Sequence, residues 1–168
     1  AFLLARSRPT KVIVLLGGTD FWSNGIHLNI IEASNDPAKE SWRNINAIDD
    51  LVVEILNTMS HLVIAGLRGN AGAGGAMLAL AADRIYSASG VVLNPHYRGM
   101  GELYGSEYWT YLLPKRVGQA RALKLTQVCQ PIGARAARDI GFLDEVFGED
   151  ARSFEAEIRN RARLLAAN

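Results

Sequence analysis

Two short apolar runs, each ended by a glycine turn, constrain this chain most. Residues 11–16 read KVIVLL and stop at Gly17-Gly18, while residues 61–67 read HLVIAGL and give way to Gly69-Asn-Ala-Gly-Ala-Gly-Gly. Apolar, β-branched runs without polar alternation suit strands buried on both faces of a sheet, so both runs predict core strands. The second glycine stretch leads into a small-residue helix over 76–82, which sets the order strand, glycine loop, helix. Between the two strands, Trp42, Ile45, Ile48, Val52, Ile55 and Met59 recur three or four apart. That spacing predicts a long amphipathic helix over 37–59.

Further strands are predicted over 84–88 and 91–93, and an aromatic helix over 106–113 that Pro114 ends. Ala-rich helices follow over 118–125 and 133–139, the second capped by Gly141, then a returning strand over 143–147. Phe154, Ile158, Ala162 and Leu165 mark a last helix over 151–166, and Phe2 to Ala5 read as a helical turn ahead of Pro9. Strands alternating with helices indicate an α/β domain. No internal repeat or change of composition divides the 168 residues, so one domain over 1–168 is expected.

Composition narrows the function. Eighteen Lys and Arg against seventeen Asp and Glu leave a net charge of +1, which gives no field to hold nucleic acid or an anionic membrane surface. The longest uncharged runs, such as 70–82, fall short of the roughly 20 apolar residues of a membrane span. A single cysteine, Cys129, allows no internal disulfide and no thiolate cage, which suits a reducing cytoplasm. His27, His61 and His96 show no ligand spacing, so no metal is expected.

The glycines after residue 67 fit neither nucleotide signature. Met77 stands where a dinucleotide fingerprint needs its third glycine, and Gly75 stands where a phosphate loop needs lysine. What remains is a set of backbone amides at a helix start. The loop GGTDFWSNGIHL, residues 17–28, follows the other strand in the same way. If the two strands are neighbours, one N–H from each loop can converge on one carbonyl oxygen and form an oxyanion hole. The alternative is that these glycines only let strand and helix pack closely.

These segments resemble the enoyl-CoA hydratase (crotonase) superfamily: KVIVLLGGTDFWSNGIHL, LRGNAGAGGAMLALAADRIYSA and ARALKLTQVCQPIGARAARDIGFLDEVF. The resemblance implies a crotonase-like (ClpP/crotonase) fold, a ββα-type spiral core with C-terminal helices, lacking opening strands upstream of Ala1. It implies oxyanion donors at the Ile26 and Gly74 amides, with Asn24, Gly25 and Leu28 bordering bound coenzyme A. The two glutamates of hydratases fall at Met77 and His96, which are expected to line the substrate site. Met carries no titratable proton, so hydration loses its general acid and base pair.

Residues 94–118, NPHYRGMGELYGSEYWTYLLPKRVG, carry a narrower resemblance to the carboxy-terminal crotonase domain of the HypX (HoxX) family of hydrogenase-maturation proteins. That resemblance implies an N-terminal formyltransferase-like module and hydrogenase-maturation partners. It also implies a lyase-type reaction in which formyl-CoA gives carbon monoxide, for the nickel-iron site, and free CoA. Glu107 and Tyr97 are the implied base and proton relay, and a dry pocket would raise the carboxylate toward the working pH. Other readings stay open at this stage. Glu107 after Ser106 can sit in a first helical turn and complement the dipole, and Tyr97 can be a buried aromatic. Tyr104 and Tyr108 are further candidates for the pocket wall. Another hydratase, isomerase or thioesterase reaction, or a non-catalytic CoA-binding or assembly module, remains the alternative function.

Overall fold

The fold grows from the two apolar runs, which lie side by side. A computed structural model describes residues 1–96, 104–128 and 130–167. After a short helix α1 (Phe2–Arg6), β1 (Val12–Leu15) turns a corner into β2 (Phe21–Ser23), α2 (Leu28–Glu32) and the long α3 (Pro37–Leu56). The second unit is β3 (Leu62–Leu67), β4 (Asn70–Gly72) and α4 (Ala73–Leu78), continued by a 3-10 turn Ala79–Ala81. The third is β5 (Arg84–Ser87), β6 (Val92–Asn94) and α5 (Trp109–Val117). Then follow α6 (Gln119–Gln127), β7 (Ile132–Gly133), α7 (Ala134–Asp139), β8 (Glu145–Val146) and α8 (Ala151–Ala167).

The first strand of each unit joins a four-stranded parallel sheet ordered β1-β3-β5-β8. The second joins another sheet ordered β2-β4-β6-β7, antiparallel only at its β6–β7 edge. The chain therefore climbs as a spiral of ββα units. The repeat is one of path and not of sequence, which is why no internal repeat is visible in the residues.

The corners between sheets are tied together. Arg68 donates from Nη2 to the Gly17 carbonyl at 2.8 Å and pairs through Nη1 with Glu155 of α8. A Cβ on Gly69 would lie 2.8 Å from the Thr19 carbonyl oxygen and 2.9 Å from the Phe21 backbone, so only glycine lets the corners nest. Asp83 and Asp144 then fix the parallel register. Asp83 Oδ2 accepts the Val63 N–H at 2.8 Å and Asp144 Oδ2 the Ile85 N–H at 2.6 Å.

The core lies between β3 and β5 and the helices, with Ile64, Leu67, Ile85, Phe142, Phe154 and Ile158 all but fully buried. Gly66 lets α8 come close, since a Cβ there would meet Ile158 Cδ1 at 2.5 Å. Phe154 stacks on Phe147 at 4.9 Å, and the Arg161 guanidinium caps Phe147 at 4.2 Å while pairing with Glu145 and Glu157. Burial, then the charge of Glu145, pushes the Tyr86 hydroxyl above its usual range behind this stack.

Four expectations need correction. Helix α3 ends at Leu56, so Met59 is 93% exposed beyond it, and Trp42 is 68% exposed on its outer side. The small-residue helix starts at Ala73, three residues early. Pro114 lies inside α5, whose last turn persists because Leu113 and Val117 are buried and Gly118 donates to the Pro114 carbonyl at 2.9 Å. Ser106 and Glu107 precede α5, and Glu107 is not in its first turn. Among the described residues no helix is long and apolar enough to cross a membrane.

Phe154→Ala should lower unfolding stability by about 3–5 kcal/mol, the cost of deleting a buried aromatic and leaving its cavity. Urea denaturation measures it, and a loss under about 1 kcal/mol would mean that α8 contributes little to the core.

Candidate active site

The site forms where the two glycine corners meet. Gly25 has φ +85, and a Cβ on it would lie 3.1 Å from Gly74 Cα and 3.2 Å from Gly74 N. A Cβ on Gly75 would overlap the Ser23 carbonyl and lie 2.7 Å from Asn24 N. Asn24 leans the same way, its Oδ1 within 3.1 Å of where a Gly72 Cβ would stand. The loops carrying Ile26 and Gly74 thus meet backbone to backbone at Gly25, Gly74 and Gly75, with the Asn24 side chain beside them. Gly74 is the second residue of α4, so its N–H has no carbonyl partner inside the helix.

Glu107 closes this contact from a third element. It is 2% exposed, and a Cβ on Gly74 would overlap its Oε1 and lie 2.8 Å from its Cδ. The carboxyl group therefore rests on the Gly74 Cα. Both Glu107 (φ +59) and Tyr108 (φ +53) are left-handed, at a cost of roughly 1–2 kcal/mol each for residues with a Cβ. Two sets of bonds hold them there. Asp49 of α3 accepts the Glu107 N–H on Oδ1 at 2.7 Å, and Ser106 N donates to Glu107 Oε2 at 3.2 Å. One residue on, Trp109 is 8% exposed and donates its indole N–H to the Tyr104 carbonyl at 2.8 Å.

The other expected residues distribute as follows. Met77 is completely buried in α4, and Leu28 is 57% exposed at the start of α2. His27 caps α2, its Nδ1 accepting the Ile30 N–H at 3.4 Å. His96 follows β6, with Nδ1 2.9 Å from Asn94 Oδ1. His61 lies at the far end of β3, between Ser60 Oγ and the Arg8 carbonyl. Tyr104 and Tyr108 are 66% and 47% exposed. Tyr97 lies outside the described residues. Among those described, no group of three His, Cys, Asp or Glu could hold a metal.

Asp49 is the residue that sequence reasoning missed. It sits 58 positions from Glu107, half-buried on a helix, where a single aspartate carries no motif. Arg116 forms a paired contact with Asp144, just ahead of β8, at 2.9 and 3.2 Å.

A spiral of ββα units with adjoining glycine corners defines a crotonase-type fold. The chain belongs to the enoyl-CoA hydratase/isomerase family, which it matches over residues 1–168. It is 51% identical over 166 residues to the hydrogenase maturation factor HoxX of Bradyrhizobium diazoefficiens, covering 99% of this chain and 29% of that protein. It superposes with a TM-score of 0.94 on HypX from Aquifex aeolicus in complex with tetrahydrofolic acid, at 51% identity, covering 97% of this chain and 29% of the other. An enoyl-CoA hydratase from Bacillus anthracis shares the fold, with a TM-score of 0.88 at 23% identity, over 99% of this chain and 63% of that one. The chain thus spans about three tenths of the length of the maturation factors it matches.

The two neighbouring glycines should respond differently to a methyl group. Gly75→Ala meets rigid backbone at Ser23 and should cost about 3 kcal/mol, whereas Gly74→Ala meets a carboxylate that can swing and should cost about 1 kcal/mol. Urea unfolding compares them; the reverse order would mean that Glu107 is held more firmly than the loops.

Proposed function

We propose that this domain decarbonylates formyl-CoA to carbon monoxide and CoA, as part of a hydrogenase-maturation factor. The observation that carries the reading is the buried Glu107 carboxylate resting on Gly74, where the two glycine corners meet. The similarity to HoxX and HypX supports the maturation role, and membership of the crotonase family supports a CoA thioester as ligand. An N-terminal formyltransferase-like module, supplied with a folate, would provide the formyl group.

In this reading the Ile26 and Gly74 amides hydrogen-bond the thioester oxygen and polarise the carbonyl. Asn24, Gly25 and Leu28 border the CoA, and Met77 and His96 shape the acyl end. Glu107 takes the formyl proton, the C–H pair becomes the carbon lone pair of carbon monoxide, and the C–S pair leaves on sulfur. The proton then passes through Tyr97 to the thiolate, so the products are carbon monoxide and CoA-SH. No water is consumed, which suits a buried carboxylate better than hydration chemistry does. Hydration is further disfavoured by Met77, which can neither donate nor accept the proton.

The test is carbon monoxide release from formyl-CoA by the full-length protein. Glu107→Gln and Tyr97→Phe should each lower kcat by about 10²–10⁴-fold. Release unchanged in both variants would remove the site assignment. Formyl-CoA binding without turnover in the parent protein would favour a non-catalytic CoA-binding or assembly module, and turnover of an enoyl-CoA instead would favour a hydratase or isomerase.

A further inference from the structure

The Glu107 side chain is aimed by a backbone conformation that a residue with a Cβ does not adopt unaided. Glu107 and Tyr108 are both left-handed, directly ahead of α5. The strain sits on the residue whose carboxyl group rests against Gly74, and backbone strain of this kind persists only where surrounding contacts over-determine it. The Trp109 anchor fixes the chain after the strained pair and the Ser106 bond is local, so neither reaches Glu107 from outside its own loop. The Asp49 carboxylate does reach it from another element, accepting the Glu107 N–H at 2.7 Å.

We infer that Asp49 is a positioning residue that holds Glu107 in its left-handed conformation and so aims the carboxylate at Gly74. The inference rests on the proposed role of Glu107 but not on the identity of the acyl group. Asp49 is partly buried on α3, a helix of 20 residues capped by Asp36 and anchored in the core by Val52 and Ile55. The acceptor thus belongs to a rigid element, while the loop it grips does not. The Asp49 Oδ1 satisfies the Glu107 N–H at this left-handed turn, a role that a side-chain amide oxygen in the same place can also fill. Asp49 bonds the Glu107 backbone and so acts through that residue. Loss of the acceptor lets the loop relax toward ordinary backbone angles and draws the carboxyl group off the glycine. The substrate-binding corners stay in place, because they are built from β2, β4 and α4.

Asp49→Ala and Asp49→Asn in the full-length protein separate the acceptor from the charge, because Asn keeps Oδ1. In Asp49→Ala, kcat for carbon monoxide release from formyl-CoA should fall about 10- to 100-fold, the usual cost of misplacing a reacting group, with KM nearly unchanged. Amide hydrogen exchange at Glu107 should accelerate in the same variant. Asp49→Asn should recover most of kcat and of the exchange protection. Wild-type kcat in Asp49→Ala, or a rise in KM that accounts for the whole loss, overturns the inference. So does an Asn variant as impaired as Ala. If Asp49→Ala does not yield folded protein, the Asn variant decides: protection and kcat both retained support positioning, and kcat retained with fast exchange refutes it. Should the parent protein release no carbon monoxide, the decarbonylase reading fails on its own, and the exchange comparison still tests the grip of Asp49 on Glu107.

Discussion

The architecture of this site depends on backbone meeting backbone where Ser23, Asn24 and Gly25 touch Gly74 and Gly75. No side chain fits there. The contact exists because β1 and β3 are parallel neighbours in register from Val12 with Leu62 to Leu15 with Ala65, so their corners emerge at the same height. The short strands β2 and β4 then carry the two loops forward together. Glycine costs chain entropy at such positions, and the buried packing of α4 against the second sheet offsets it. Two amide-bearing loops can therefore be neighbours without any charged side chain between them.

That glycine contact also decides where a carboxylate can lie. Because Gly74 has no Cβ, the Glu107 carboxyl group rests on its Cα and is almost wholly shut off from solvent. An ionised group in such a place is costly unless it is bonded, and the Ser106 N–H is one of its partners. The arrangement concentrates burial, charge and left-handed backbone on one residue. The elements beneath it are ordinary: α3 is well capped, Asp83 and Asp144 hold the register, and α8 is locked by stacked rings. Strained backbone thus lies on both sides of the contact, at Glu107 and Tyr108 and at Ala73 (φ +45) beside Gly74, on a firm support.

Much of the support was legible in the residues. The runs KVIVLL and HLVIAGL became β1 and β3, and the spacing of Phe154 and Ile158 correctly marked the buried side of α8. The short strands were not legible, because Asn70-Ala71-Gly72 has no strand propensity and is extended only through pairing with Phe21 and Ser23 on one side and Leu93 and Asn94 on the other. Pro114 misled for a related reason: local propensity ended the helix, while burial of Leu113 and Val117 carried it on. In the candidate site, the glycines and Glu107 stood out by spacing and resemblance. The conformation of Glu107 did not, since nothing local marks a glutamate for the left-handed region. Its partner Asp49 lies on another element, and only the fold brings them together.

The same geometry bears on the size of the acyl group. In a crotonase-type site the thioester carbonyl would lie over the paired amides, and a longer acyl chain must continue past them. Here the space over Gly74 is taken by the Glu107 carboxyl group, and Met77 behind it is fully buried among core residues. His96, at the end of β6, is engaged with Asn94. An α-carbon and its substituents would compete with the carboxylate for the same volume, whereas a formyl hydrogen would point into it. In the proposed reading that carboxyl group is the base and lies beside the carbonyl carbon, not one bond further along the acyl chain. Hydration and isomerisation act on carbons beyond the carbonyl, so under the proposed reading a carboxyl group lying against Gly74 fits a one-carbon acyl group better than a longer one.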